Sequence, residues 1–137
     1  KSPISGTVVL SRFDKGVPNY HGSTCNPNNL PDDQFCYPAL GGVVYIKNAA
    51  GYEIALLHLA KDGLRGVGSI SRGESVGQTY VGKICDSVDP SKCTTSGTHV
   101  HYQVRRNGGS IDFRSDQGKL FFPPDQPPSL GTSVNSL

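Results

Sequence analysis

Gly97-Thr98-His99-Val100-His101-Tyr102-Gln103-Val104-Arg105 is the stretch whose pattern decides the fold. Polar and apolar residues alternate along it, the period of a strand with one face buried. Val100, Tyr102 and Val104 fall on the face expected to pack into a core. His99, His101, Gln103 and Arg105 fall on the other. A strand repeat puts the two imidazoles roughly 5–7 Å apart on that face. That spacing suits one imidazole binding a metal while the other handles a proton, and it suits equally two histidines in ordinary polar contacts at a sheet surface. A third histidine, His58, lies in the apolar run Leu56-Leu57-His58-Leu59, where an unpartnered imidazole is poorly tolerated.

The same period recurs outward from this stretch. Ile4 to Leu10 and Gly42 to Lys47 read as strands, and Tyr52 to Leu59 as a return strand whose apolar density implies cover on both faces. Asn48-Ala49-Ala50-Gly51 reads as the hairpin turn between the last two. Asn107-Gly108-Gly109 turns the histidine strand, read as Thr98–Arg106, back into Ser110–Phe113. Lys61–Arg72 reads as a glycine-rich connection, and Ile70–Val81 as short β pieces broken at Gly73 and Gly77. No stretch keeps a helical period over ten residues. With 17 glycines and 10 prolines in 137 residues, the chain reads as a turn-rich, all-β antiparallel domain over residues 1–122. Pro123, Pro124, Pro127 and Pro128 forbid a regular ladder beyond, so residues 123–137 are expected to be a Pro-rich tail or linker.

Composition excludes some classes. The net charge is +2, and no Lys/Arg block interleaves with aromatics, so nothing points to nucleic acid. No run approaches the ~18 apolar residues of a membrane-spanning helix. The chain contains no methionine, so a segment is expected upstream of Lys1. Cys25/Cys36 and Cys85/Cys93 each close a short, polar, proline-containing loop, the first pair within the long loop from Asp14 to Pro38. They read as two local disulfides, free or mixed thiols and a metal site being the alternatives. Without a Cys-x-x-Cys the zinc option has little to rest on. Disulfides imply an oxidising compartment: extracellular, periplasmic or cell surface. Each such loop would contribute ~2–3 kcal/mol by the chain-entropy argument.

The order of motifs resembles one family. A Gly-Thr-Val-Val strand is followed by a hairpin ending in Leu57-His58-Leu59-Ala60. Then come glycines spaced as Ile70-x-Arg72-Gly73-Glu74-x-Val76-Gly77 with Val81-Gly82, and last Gly97-Thr98-His99-Val100-His101-Tyr102-Gln103-Val104-Arg105. Over residues 1–113 this is similar to the lysostaphin-type, or LytM-like, zinc endopeptidases, which hydrolyse peptide bonds of bacterial peptidoglycan. The resemblance implies an antiparallel sheet folded as an open half-barrel, with a second small sheet and long loops walling a groove. It implies that His101 is a Zn2+ ligand, and that His58 and His99 activate water and stabilise the tetrahedral intermediate. The chemistry is coherent, because zinc-bound water is acidified towards pKa ≈ 7 and a nearby imidazole can complete its deprotonation.

One element of the family pattern is missing. Its His-x-x-x-Asp, which supplies the other two zinc ligands, lies ahead of the first strand, and here only Lys1-Ser2-Pro3 precede Ile4. The fourth histidine does not replace it, since His21 is followed by Gly22-Ser23-Thr24-Cys25. Either the motif lies upstream, or the domain is a degenerate member that binds without hydrolysis. As it stands the chain is expected to be inactive or nearly so. The two functions implied are therefore a secreted or cell-surface zinc endopeptidase domain and a non-catalytic module binding a cell-wall peptide or glycan, or another protein of a surface assembly.

Overall fold

In the computed structural model, which describes residues 1–14, 39–85 and 89–111, the alternating runs form one antiparallel sheet. Its strands are β1 (Gly6–Asp14), β2 (Gly41–Lys47), β3 (Tyr52–Leu59), β4 (Gly68–Ile70), β5 (His101–Arg106) and β6 (Gly109–Ser110). Their spatial order is β4-β1-β2-β3-β5-β6, and every neighbouring pair is antiparallel. The sheet is open, with β4 and β6 at its two ends, and no helix occurs among the described residues.

The turns follow from their residues. Between β2 and β3, the Asn48 side-chain oxygen accepts from the amides of Ala50 and Tyr52, and Gly51 takes φ 84°, a conformation glycine adopts without steric penalty. Between β5 and β6, Asn107 (φ 48°) and Gly108 (φ 85°) make the two-residue turn whose twist matches a hairpin.

One face of the sheet carries the core. Val8, Val44, Ile46, Ile54, Leu56, Leu59, Ile70, Val76 and Val104 are buried together with Ile4, and Val100 and Tyr102 pack against them. The alternation read in the histidine segment therefore holds, with Val100, Tyr102 and Val104 inward. A smaller cluster of Ala39 and Ile84, with Phe13 and Tyr80, forms separately. Val43 and Ala55 are buried as well, although they alternate with the core residues, so both faces of β2 and β3 are partly covered as expected.

Several boundaries differ from the sequence reading. The first strand begins at Gly6, not Ile4, and runs past Leu10 to Asp14, and Ser2 lies outside it. Instead Ser2 pairs with the turn at 71–74, its amide donating to the Glu74 carbonyl and its carbonyl accepting from Gly73. The glycine-rich connection contains a strand, β4, which pairs with Gly6–Val8; three residues, one of them Gly68, carry too little periodicity to reveal it. Residues 71–81 form no strand, and their ladder contact is the isolated pair Leu59–Thr79. The described residues make one sheet, and no second small sheet occurs among them. Residues 15–38, which include His21, Cys25 and Cys36, lie outside the described residues, as do residues 112–137 with the proline-rich tail.

Truncating a fully buried side chain at the sheet centre should be costly. Ile54→Ala is expected to lower unfolding free energy by about 2–5 kcal/mol in urea titration. Val67→Ala, at an exposed position, should change it by no more than about 0.5 kcal/mol.

Candidate functional site

The pairing of β3 with β5 sets up the site. Leu57 lies opposite His101, Ala55 opposite Gln103 and Glu53 opposite Arg105, while Leu56 and Ile54 face Tyr102 and Val104 on the core side. In an unbroken strand His58 would follow Leu56 onto the core face, away from His101. A β-bulge prevents this. Gly42 pairs with Leu59 and Val44 with Leu56, so the single residue Val43 opposes both Leu57 and His58. His58 takes φ 65°, a left-handed conformation uncommon outside glycine. Its ring then lies 5.1 Å from that of His99 and 5.8 Å from that of His101, edge-on to both.

Backbone contacts hold that conformation. The Leu40 carbonyl accepts from the His58 amide at 2.9 Å and from its Nδ1–H at 3.0 Å. The His58 carbonyl accepts from the Tyr80 amide. Gly41 and Gly42 allow the close approach, since a Cβ on Gly42 would lie 2.7 Å from the Leu59 carbonyl oxygen. Because a carbonyl only accepts, the neutral His58 ring carries its proton on Nδ1 and a lone pair on Nε2. His99 repeats the arrangement, Nδ1 donating to the Gly97 carbonyl at 2.8 Å.

His99 itself is not in β5, which starts at His101 rather than at Thr98. Residues 94–99 bond to other segments through their side chains in place of a ladder. The hydroxyls of Thr94, Thr95 and Thr98 accept from the amides of Ala39, Ile84 and Gly82. The Thr94 amide donates to the Ile84 carbonyl, and Cys85 and Cys93 join in a disulfide at the end of this pairing. The chain from His58 through Tyr80 and Gly82 to Thr98 and His99 is thus one hydrogen-bonded clasp. Of the two expected disulfides, Cys85–Cys93 is present; Cys25 and Cys36 fall outside the described residues. Sequence reasoning missed the three threonines and Leu40, because nothing local distinguishes a threonine that caps a distant amide from one facing water.

The rings sit in graded environments. His58 is buried, His101 half-buried and His99 exposed. Burial pushes His58 below the ordinary histidine value of 6.5; the bond to Leu40 opposes this, and His99 and His101 add to it. Burial likewise lowers His101, with His99 contributing. Burial pushes Tyr102, on the core face, strongly up. Both shifts favour the neutral imidazole of His58 and of His101 near pH 7.

The zinc that the resemblance implies needs three protein ligands in a catalytic site. Among the described residues no three His, Cys, Asp or Glu side chains are placed to hold a metal ion. These residues do not by themselves fit a catalytic zinc centre, and no chemical step is derived through one.

No protein-family model and no curated protein matches the chain. Among solved structures it is similar to one titled as the SpoIIQ–SpoIIIAH pore forming complex, with TM-score 0.45 and 21% identity over 79% of this chain and 49% of that one. The chain thus spans less than half the length of that neighbour, and at this TM-score the likeness lends no weight to a functional reading.

Two outcomes follow from the site. The folded values of His58 and His101 lie below 6.5, so the unfolded chain takes up protons there that the folded chain does not. Stability is therefore retained above about pH 6.5 and falls as pH drops below it. The fall in Tm between pH 7.5 and pH 5.5 should be smaller in His101→Gln than in wild type; identical profiles would contradict it. Separately, Thr95→Val leaves the buried Ile84 amide without its acceptor and should cost about 1–3 kcal/mol by denaturant titration.

Proposed function

We propose that this domain is a non-catalytic module of a cell-surface assembly, built on a lysostaphin-type scaffold, that binds peptide portions of the bacterial cell wall at the β3/β5 face. The single observation behind this reading is the His58 ring: 5% exposed, bonded at Nδ1, and with no hydrogen-bond partner at Nε2 among the described residues. A buried acceptor without a partner costs free energy unless something supplies a donor. A ligand lying over the clustered rings supplies one.

The surroundings suit an extended ligand. The side of β3 and β5 that carries His101 continues through Ala55 and Gln103 to Glu53 and Arg105, and across to Tyr45 and Lys47 on β2. The Gln103 side-chain oxygen accepts from the Arg105 guanidinium, and Lys47 pairs with Glu53 at 3.0 Å. These are polar, mutually satisfied groups with mixed charge, a surface for hydrogen bonding and for neither polyanions nor lipid. The Cys85–Cys93 disulfide supports an extracellular, periplasmic or surface location.

The hydrolytic reading has one observation in its favour, the convergence of His58, His99 and His101. It requires zinc ligands from residues other than those described. Both readings are tested together. Full-length protein is incubated with purified peptidoglycan sacculi with and without added Zn2+. Retention on the sacculi with no clearing of turbidity is expected under both conditions. Zinc-dependent clearing that His99→Ala abolishes would replace the binding module with the endopeptidase, and absence of retention on any cell-wall preparation would remove the wall as the partner.

A further inference from the structure

We propose that the His58–His99 pair recognises a primary carboxamide, whose two N–H donors bridge the two Nε2 atoms. This deepens the binding reading above and rests on it. Both rings spend Nδ1–H on backbone carbonyls, Leu40 for His58 and Gly97 for His99. With Nδ1 as the donor, the Nε2 of each ring is left as an acceptor, and no donor among the described residues meets either one. Their centroids are 5.1 Å apart. Two acceptors carried on rings in edge contact call for a group with two donors, and a carboxamide NH2 is such a group.

Other ligand chemistries fit less well. A carboxylate brings acceptors alone, and would set its lone pairs against those of the rings. An ammonium brings donors together with a full charge. Neither ring pairs with a carboxylate among the described residues, so that charge would be desolvated without compensation. A lone hydroxyl donates one hydrogen and satisfies one ring. The carboxamide is neutral and satisfies both rings. Selection between amide and acid forms of one peptide end would follow, because a site built around hydrogen bonds discriminates most strongly against an analogue that leaves its own groups unpaired.

The test uses the full chain, 15N-labelled on histidine, at pH 7.5 with EDTA present to keep metals off. It is titrated with N-acetyl-Ala-Ala-NH2 and, in parallel, with N-acetyl-Ala-Ala-OH. The Nε2 resonances of His58 and His99 are expected to move with the amide, and the amide to bind at least about tenfold more tightly than the acid. His99→Ala, at an exposed position outside the strands, should fold normally and lose that preference. Equal binding of the two peptides, ring resonances that ignore the amide (as when a water already occupies the His58 lone pair), or a preference surviving in His99→Ala would each overturn the proposal. Retention on sacculi without amide preference would sink the carboxamide and leave the binding module standing. Amide preference without retention would do the reverse.

Discussion

The bulge at Leu57–His58 is the constraint on which the site depends. It turns the His58 imidazole out of the core alternation and brings it beside His99 and His101. A left-handed histidine in a strand costs of order 1–3 kcal/mol and persists only where its surroundings over-determine it. Here they do. One carbonyl, that of Leu40, receives both the His58 amide and its ring N–H, and the His58 carbonyl is held by Tyr80. The glycine pair at 41–42 lets the backbones approach closely enough for this. The strain sits at the centre of the polar cluster and is held by the sheet around it.

Two supports of different kind converge on the cluster. The hydrophobic core lies under β3 and β5 and fixes His101 through the packing of Tyr102 and Val104. The threonine clasp, closed by the Cys85–Cys93 disulfide, brings His99 in from outside the sheet. Core packing is stiff, whereas an exposed loop held by side-chain hydroxyls is less so. The cluster thus joins one ring on a rigid strand, one on a strained bulge and one on a pinned loop.

Much of the fold was legible in the chain. The alternation of Val100, Tyr102 and Val104 against His101 and Gln103 is a local property and survives in β5. The turn at Asn48–Gly51 and the Asn107–Gly108 pair are short-range chemistry and were read correctly. β4 is not legible in the chain because three residues, one of them Gly68, hold no period. β5 starts later than the alternation suggests, since Thr98 bonds to the Gly82 amide and the His99 ring to the Gly97 carbonyl, contacts that a pattern of apolar residues does not register. The reading of Cys85 with Cys93 holds because the two lie only eight positions apart, and short loops close readily.

The sequence by itself determined the all-β class, the inward faces of the central strands, and which histidines were worth watching. These follow from side-chain period and turn chemistry, which act over a few residues. Only the tertiary structure decided that His58 joins His99 and His101. By alternation alone it belongs on the opposite face. Its reversal comes from a carbonyl 18 positions away and an amide on a third segment. A bulge is set by what the strand is paired with, and that partner is chosen by the fold as a whole.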